Sequence, residues 1–240
     1  MWHSFITAFS FLSRVPVPQV TVNNRTLGGA VAFFPLVGLV IGGLLFGVAT
    51  LATPFVSPLG TAFLITGMWA WLTGGLHLDG LADTFDGLSG GRGDRARTLE
   101  IMRDSRIGTH GAVALVLLLI GKVTFTAELV GTQAQVLCLV PAAARAAVVP
   151  AIACFPYARP DGLGRAMRDN AQRSGILISQ LFLLATLLWV GFEQWPRVAA
   201  AFIATAATSL WLSRKLGGLT GDTYGACIEL AELAALAFAI

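Results

Sequence analysis

The sequence predicts an all-α fold: a polytopic transmembrane helical bundle of about six or seven spans, preceded by an N-terminal interfacial helix. Three observations predict it. The 240 residues are 55% hydrophobic and only 12% charged, about half the roughly 25% charge of a soluble domain. Mean hydropathy is +0.75. The apolar residues also gather into runs near the ~20 residues that a bilayer-crossing helix needs. This composition excludes a disordered chain and a polar binding module. It leaves no room for a separate soluble domain, so residues 1–240 read as one integral membrane domain.

Residues 1–14 place Trp2, Phe5, Ile6, Phe9 and Leu12 at helical spacing with Ser and Thr between them, the pattern of a helix lying in the interface. They lack the basic start and unbroken apolar core of a cleavable signal peptide. Pro16 and Pro18 end the helix. The first apolar run, about 31–53, carries Gly38, Gly42, Gly43 and Gly47. Small residues at this spacing permit close helix contact in lipid, which leaves self-association into a homo-oligomer open. Pro54 and Pro58 bracket a turn, and a second run covers about 59–75. A polar segment, 76–109, follows. Apolar runs resume at about 111–130, 134–155, 175–193 and 198–213, with a basic loop at 156–174 between them. The last stretch, 223–240, is marginal as a span and carries Glu229 and Glu232.

The net charge of +3 reports orientation rather than nucleic-acid binding. Thirteen of the 16 Lys and Arg residues lie in the N-terminal segment, 76–109, 156–174 and the 214–215 turn. The opposite connections hold Arg197, while Lys122 and Arg145 fall inside apolar runs. By the positive-inside rule the basic segments face the cytoplasm. Cys138, Cys154 and Cys227 stand singly in apolar stretches with no metal-binding spacing, and read as small core residues.

Six of the 13 acidic residues fall between 79 and 104. Asp79, Asp83 and Asp86 are spaced i, i+4 and i+7, within about 60° of one another on a helix. Like charges so close need a compensating cation, and Mg²⁺ takes one or two carboxylates together with substrate phosphates. A solvated acidic face is the alternative, but no Lys or Arg interleaves the acids from residue 26 to 91. His77 stands about opposite Asp79 on a regular helix unless Gly80 breaks it. It reads either as catalytic or as a buried or interfacial histidine. In the block from Glu100 to Gly111, Arg103 and Arg106 lie near Asp104 and a Gly-Thr-His-Gly turn containing His110. Arginine forks of this kind suit phosphate oxygens. Asp222 and Glu229, at i and i+7, and the nearby Glu232 are acids in an apolar helix. Such acids are costly and usually functional. Lys122 pairs either with acids of this kind or with Glu128 in a structural ion pair.

Several strings together resemble the cobalamin synthase family, the adenosylcobinamide-GDP ribazoletransferases. They are Phe11 to Pro18, Phe33 to Gly38, Gly74 to Gly87, Leu99 to Gly111, Tyr157 to Gly164 and Gly217 to Glu232. The specific ones run from Gly75 to Asp83 and from Arg103 to Gly108. The resemblance implies a Mg²⁺-dependent enzyme of the bacterial inner membrane with its active site facing the cytoplasm. A ribose 3′-hydroxyl of α-ribazole, or of its 5′-phosphate, attacks adenosylcobinamide-GDP. GMP leaves, and adenosylcobalamin or its 5′-phosphate forms. Its partners are these small molecules and membrane lipid, not nucleic acid.

That chemistry suits the residues independently. One metal neutralises a diphosphate while a second, about 3.5–4 Å away, polarises the attacking oxygen. Asp83, Asp86 and Asp104 are the foremost metal ligands, followed by Asp79, Asp222 and Glu229. One of these carboxylates alternatively takes the hydroxyl proton. Arg103, Arg106, Arg159 and His110 hold phosphates.

Two other classes compete. A CDP-alcohol phosphotransferase pattern laid from Asp83 finds Asp86, Gly87 and Asp104 in register. It fails at Gly90, Gly91, Glu100 and Gly108. A divalent-cation transporter would need acids near the membrane midplane, reachable from both faces.

Overall fold

A computed structural model of the chain describes residues 1–238. Its twelve α-helices run in the order α1 (Trp2–Leu12), α2 (Asn24–Ala30), α3 (Phe34–Ala52), α4 (Pro58–Thr73), α5 (Leu76–Gly91), α6 (Arg95–Ile101), α7 (Thr109–Leu129), α8 (Val136–Cys154), α9 (Leu163–Asn170), α10 (Arg173–Val190), α11 (Trp195–Leu216) and α12 (Gly221–Ala237). A 3-10 turn, Val31–Phe33, joins α2 to α3, and another, Phe192–Gln194, leads into α11.

Local chemistry starts and stops these helices. Asn23 and Thr26 form a reciprocal cap on α2, and Thr220 and Thr223 do the same on α12. Ser57 caps α4 ahead of Pro58, and the Asp94 carboxylate accepts from Ala96 N and Arg97 N at the start of α6. Between α4 and α5 stand Gly74 and Gly75 with φ of +65° and +73°, a left-handed pair that glycine adopts without a Cβ penalty. The chain turns by 88° there. The polar segment after α4 is therefore a folded-back helical arm.

Four stretches are long and apolar enough to cross a membrane: Asn24–Ala52, Thr109–Leu129, Val136–Cys154 and Arg173–Val190. The bent pair Pro58–Thr73 and Leu76–Gly91 makes a fifth if counted as one broken span. The six or seven runs read from the sequence are all present as helices. The smaller number arises because α12 is short and α11, with Arg197 near its start and Arg214 and Lys215 at its end, is less apolar. The last two residues of the 223–240 stretch lie outside the described residues. Helix α8 is buried along nearly its whole length, with α3, α10, α11 and α12 around it. Helix α1 packs its buried Ile6, Ala8, Phe9 and Leu12 toward α2 and the following turn, with Phe5 edge-on to Phe33.

The glycines of α3 divide by face. A Cβ on Gly42 would sit 2.7 Å from Cys138 Cα, and one on Gly38 would sit 2.6 Å from Ala142 N; Gly43 and Gly47 meet nothing within 4 Å. Half of the small-residue pattern thus lets α3 lie directly on α8. We expect Gly42→Leu to destabilise the protein by more than the ~1–3 kcal/mol of ordinary overpacking, because backbone stands in the way. Gly47→Leu should be near neutral. Thermal unfolding in detergent checks both.

Cys138 and Cys227 are buried as expected, but Cys154 is exposed where α8 ends.

Candidate active site

Two loops and helix α5 meet at one end of the bundle. The segment after α8 pairs with the turn before α12: Ala158 N donates to Leu219 O and Leu219 N donates to Pro156 O, each at 2.8 Å. Tyr157 Oη accepts from Gly221 N at 3.2 Å. These bonds bring Arg159 to Asp222, where Arg159 Nη2 donates to Asp222 Oδ2 at 2.7 Å. Helix α5 lies against α12 so closely that a Cβ on Gly80 would stand 2.6 Å from Asp222 O. Gly80 does not break α5, as the sequence allowed. It lets α5 approach Asp222.

The acidic stripe of α5 is therefore real, and it runs between two cavities. Asp79 lines an enclosed one of about 270 Å³, together with His77, Arg159, Asp222 and Tyr224. Asp86 lines a wide, polar one of about 630 Å³ with Asp104, Arg92, Arg106 and His110. Asp83 stands between them, within electrostatic range of Asp79, Asp222, Asp86 and Arg159. Seven residues of helix, about 10 Å, separate Asp79 from Asp86. Three carboxylates and the Arg159–Asp222 pair thus form a continuous charged ridge.

The remaining candidates are placed differently. Asp86 accepts from Gly108 N at 2.6 Å and Gly111 N at 2.8 Å, so it caps the N-terminus of α7 from another helix. Asp104 accepts from Arg106 Nη2 at 2.6 Å and Nε at about 3 Å. That fork holds the Asp104 carboxyl down at about 2, and Asp104 lies in the loop outside the spans. Because its folded value lies below the ordinary ~3.9, the contact is complete above about pH 4 and is lost as pH falls through about 2. Carbon NMR titration of the Asp104 carboxyl should show this low midpoint, and Arg106→Ala should raise it. Arg103 reaches toward Asp161 at 3.8 Å. His110 is exposed in the first turn of α7. Arg92 ends α5 with φ +49° and is the one described non-glycine residue with a positive φ.

Glu229 does not join the ridge. It accepts from Lys122 Nζ, which also donates to Glu232 at 2.6 Å, and Arg145 Nη1 donates to Glu232 at 2.7 Å. All four side chains are at most 4% exposed. Lys122 sits 4.4 Å from the centre of the Trp69 ring. The physical reason is pairing: in a buried apolar setting each acid sits beside a cation. Lys122 therefore takes Glu229 and Glu232 rather than Glu128. Arg197, the remaining cation away from the basic loops, is also internal: it donates to Ala235 O and Leu236 O at the end of α12.

Among the described residues no group of three or more His, Cys, Asp or Glu side chains forms a preformed metal cage. The six carboxylates expected as ligands are split between the ridge, the α7 cap, the Arg106 fork and the buried ion pairs. Asp79, Asp83 and Asp222 carry carboxylate oxygens, the donor type that hard divalent cations prefer. Sequence reading missed the inner cavity's Tyr157 and Tyr224 and assigned Arg92 to orientation alone. Aromatic residues beside a basic loop were the available signal.

Fold and site together define a multi-pass helical membrane protein with an acid-and-arginine centre at one end of its bundle. The chain belongs to the cobalamin-5-phosphate synthase family, whose model matches residues 4–240. It is similar to proteins named adenosylcobinamide-GDP ribazoletransferase. One from Stutzerimonas stutzeri is 41% identical over 96% of this chain and 95% of its own length. One from Desulfitobacterium hafniense is 39% identical over 94% and 92%. One from Brevibacillus brevis is 38% identical over 98% and 96%. No solved structure matches the chain. The chain is thus an enzyme of cobalamin biosynthesis.

Proposed function

We propose that this protein joins adenosylcobinamide-GDP to α-ribazole, or to its 5′-phosphate, and releases GMP, at the acidic ridge of α5. The observation that carries the reading is the course of that ridge, from an enclosed cavity at Asp79 to an open one at Asp86. A two-substrate transfer brings two molecules together at the reacting atoms, and Asp83 lies along α5 between the residues that line the two cavities. The names and full-length coverage of the relatives support the same reaction.

In this reading the open cavity takes the diphosphate, with Arg92, Arg106 and His110 facing its oxygens. Arginine forks match such oxygens. A ribose hydroxyl attacks the phosphorus nearer the corrinoid, the new P–O bond forms, and the bond to GMP breaks. Asp83 takes the hydroxyl proton, and Arg159 offsets part of the charge around it. Asp79 and Asp222 would hold a Mg²⁺ ion beside Asp83, and the ion would supply charge neutralisation for the diphosphate. Much of the rate comes from holding the two reactants together. The concentration of Arg and Lys in the loops at this end supports a cytoplasmic orientation in a bacterial inner membrane, the side from which soluble substrates arrive.

The full-length protein in lipid nanodiscs, given Mg²⁺, adenosylcobinamide-GDP and α-ribazole 5′-phosphate, is expected to release one GMP per corrinoid completed. Absence of GMP, or transfer from a CDP-lipid to a free alcohol instead, overturns the reading.

A further inference from the structure

We propose that the enclosed cavity is the subsite for the nucleoside substrate, receiving its flat aromatic base, and that His77 and Tyr224 supply the hydrogen bonds that recognise it. This rests on the ribazoletransferase reading and adds which substrate enters which compartment. The cavity's volume of about 270 Å³ lies near the lower end of the ~300–1,000 Å³ typical of small-molecule pockets. A benzimidazole nucleoside is of that scale. A corrin macrocycle carrying a guanosine diphosphate is far larger and fits only the open side.

The lining is graded. The floor is apolar and buried: Leu12, Phe34, Val148, Ile152 and Ile228. The outer part of the lining carries the polar Asp79, Arg159 and Asp222 beside the exposed Leu76 and Leu163. A ligand that enters apolar end first and leaves hydroxyls at the ridge matches this gradient. The base of α-ribazole is such an end, a fused apolar ring with one free ring nitrogen, and its ribose is the hydroxyl-bearing tail.

Four buried polar atoms of the lining residues have no partner, Arg159 Nε among them. Both imidazole nitrogens of His77, which is 2% exposed, and the hydroxyl of Tyr224, 7% exposed, are buried without a hydrogen bond. Buried polar groups in folded proteins are nearly always bonded, and leaving them bare costs free energy. A lipid acyl chain in the cavity would leave all of them bare. A nucleoside supplies what they lack: an imidazole N–H donates to the free ring nitrogen, and the Tyr224 hydroxyl bonds the sugar. His77 is fixed for this, because its backbone lies against α12, where a Cβ on Gly225 would stand 3.1 Å from His77 Cα.

The test is equilibrium binding to the full-length protein in nanodiscs by titration calorimetry, with α-ribazole and adenosylcobinamide-GDP each added alone. His77→Ala is expected to weaken α-ribazole about tenfold, the scale of one lost hydrogen bond. Leu163→Trp, at the exposed mouth, blocks entry and is expected to weaken it more. Affinity for adenosylcobinamide-GDP should change less than twofold in both. Leu163 is 55% exposed, so this variant keeps its fold even if His77→Ala does not. Wild-type protein that fails to bind α-ribazole, variants that bind it unchanged, or variants that lose only the corrinoid substrate overturn the subsite. GMP release by the wild-type protein, measured alongside, shows separately whether the reaction itself stands.

Discussion

Replacing Asp83 with Asn is expected to lower GMP release at least 100-fold while leaving the protein as stable as before, or slightly more so. The two halves of that expectation share one cause. Asp83 faces Asp79, Asp222 and Asp86, with Arg159 the one cation offsetting them. Removing one charge from such a group relieves repulsion in the folded state. In the proposed mechanism the same change takes away the group that accepts the hydroxyl proton, a contribution worth about 10²–10⁴ in rate. Turnover and thermal unfolding of the same detergent-solubilised sample separate the halves. Full activity in Asp83→Asn removes Asp83 from the chemistry. Asp86→Asn makes the contrast, because Asp86 also caps α7 through Gly108 and Gly111. That variant should lose activity together with about 1 kcal/mol of stability, the usual scale of a lost cap.

Glu232→Leu is expected to have the opposite signature: loss of the folded protein, by about 3–5 kcal/mol. Glu232 is the hinge of the buried network, accepting from both Lys122 and Arg145. Its removal leaves Arg145, fully buried, with the Pro141 carbonyl as its one remaining partner. An uncompensated buried charge is what makes such a loss severe. The double variant Glu232→Leu with Arg145→Met should recover a large part of the stability, since it removes the charge with its partner. Equal stability of Glu232→Leu and wild type in denaturant-induced unfolding would show that the network does not hold α7, α8 and α12 together. Glu232 lies outside both cavities, so its effect on turnover should follow the amount of folded protein.

Helix positions were legible because bilayer-length apolar runs and Gly and Pro breaks are local signals. The α5 stripe was legible because i, i+4, i+7 spacing determines a shared face before any packing occurs. The angle between α4 and α5 was not, since Gly74-Gly75 permits a turn without setting its size; the packing of α5 on α12 does that. The partners of the acids were equally hidden. Asp86 and Asp104 looked alike as ligands, yet one meets backbone N–H groups from α7 and the other the side chain of Arg106. Glu229 looked like part of the polar centre because it repeats Asp222 at seven residues. Lys122, more than a hundred residues earlier, claims it instead.

By itself the sequence determined that this is a helical membrane protein of the cobalamin synthase type, with its scarce acids concentrated on one face of α5. Apolar run length, helical period and charge placement along the chain carry that information without any contact being known. Tertiary structure alone decided which acids line the cavities and which are spent on pairing. It also divided the centre into an open and an enclosed compartment. The reason is that burial and pairing are properties of segments brought together from opposite ends of the chain. Arg159 acquires its meaning only when the loop after α8 pairs with the turn before α12, and His77 only when α12 closes over it.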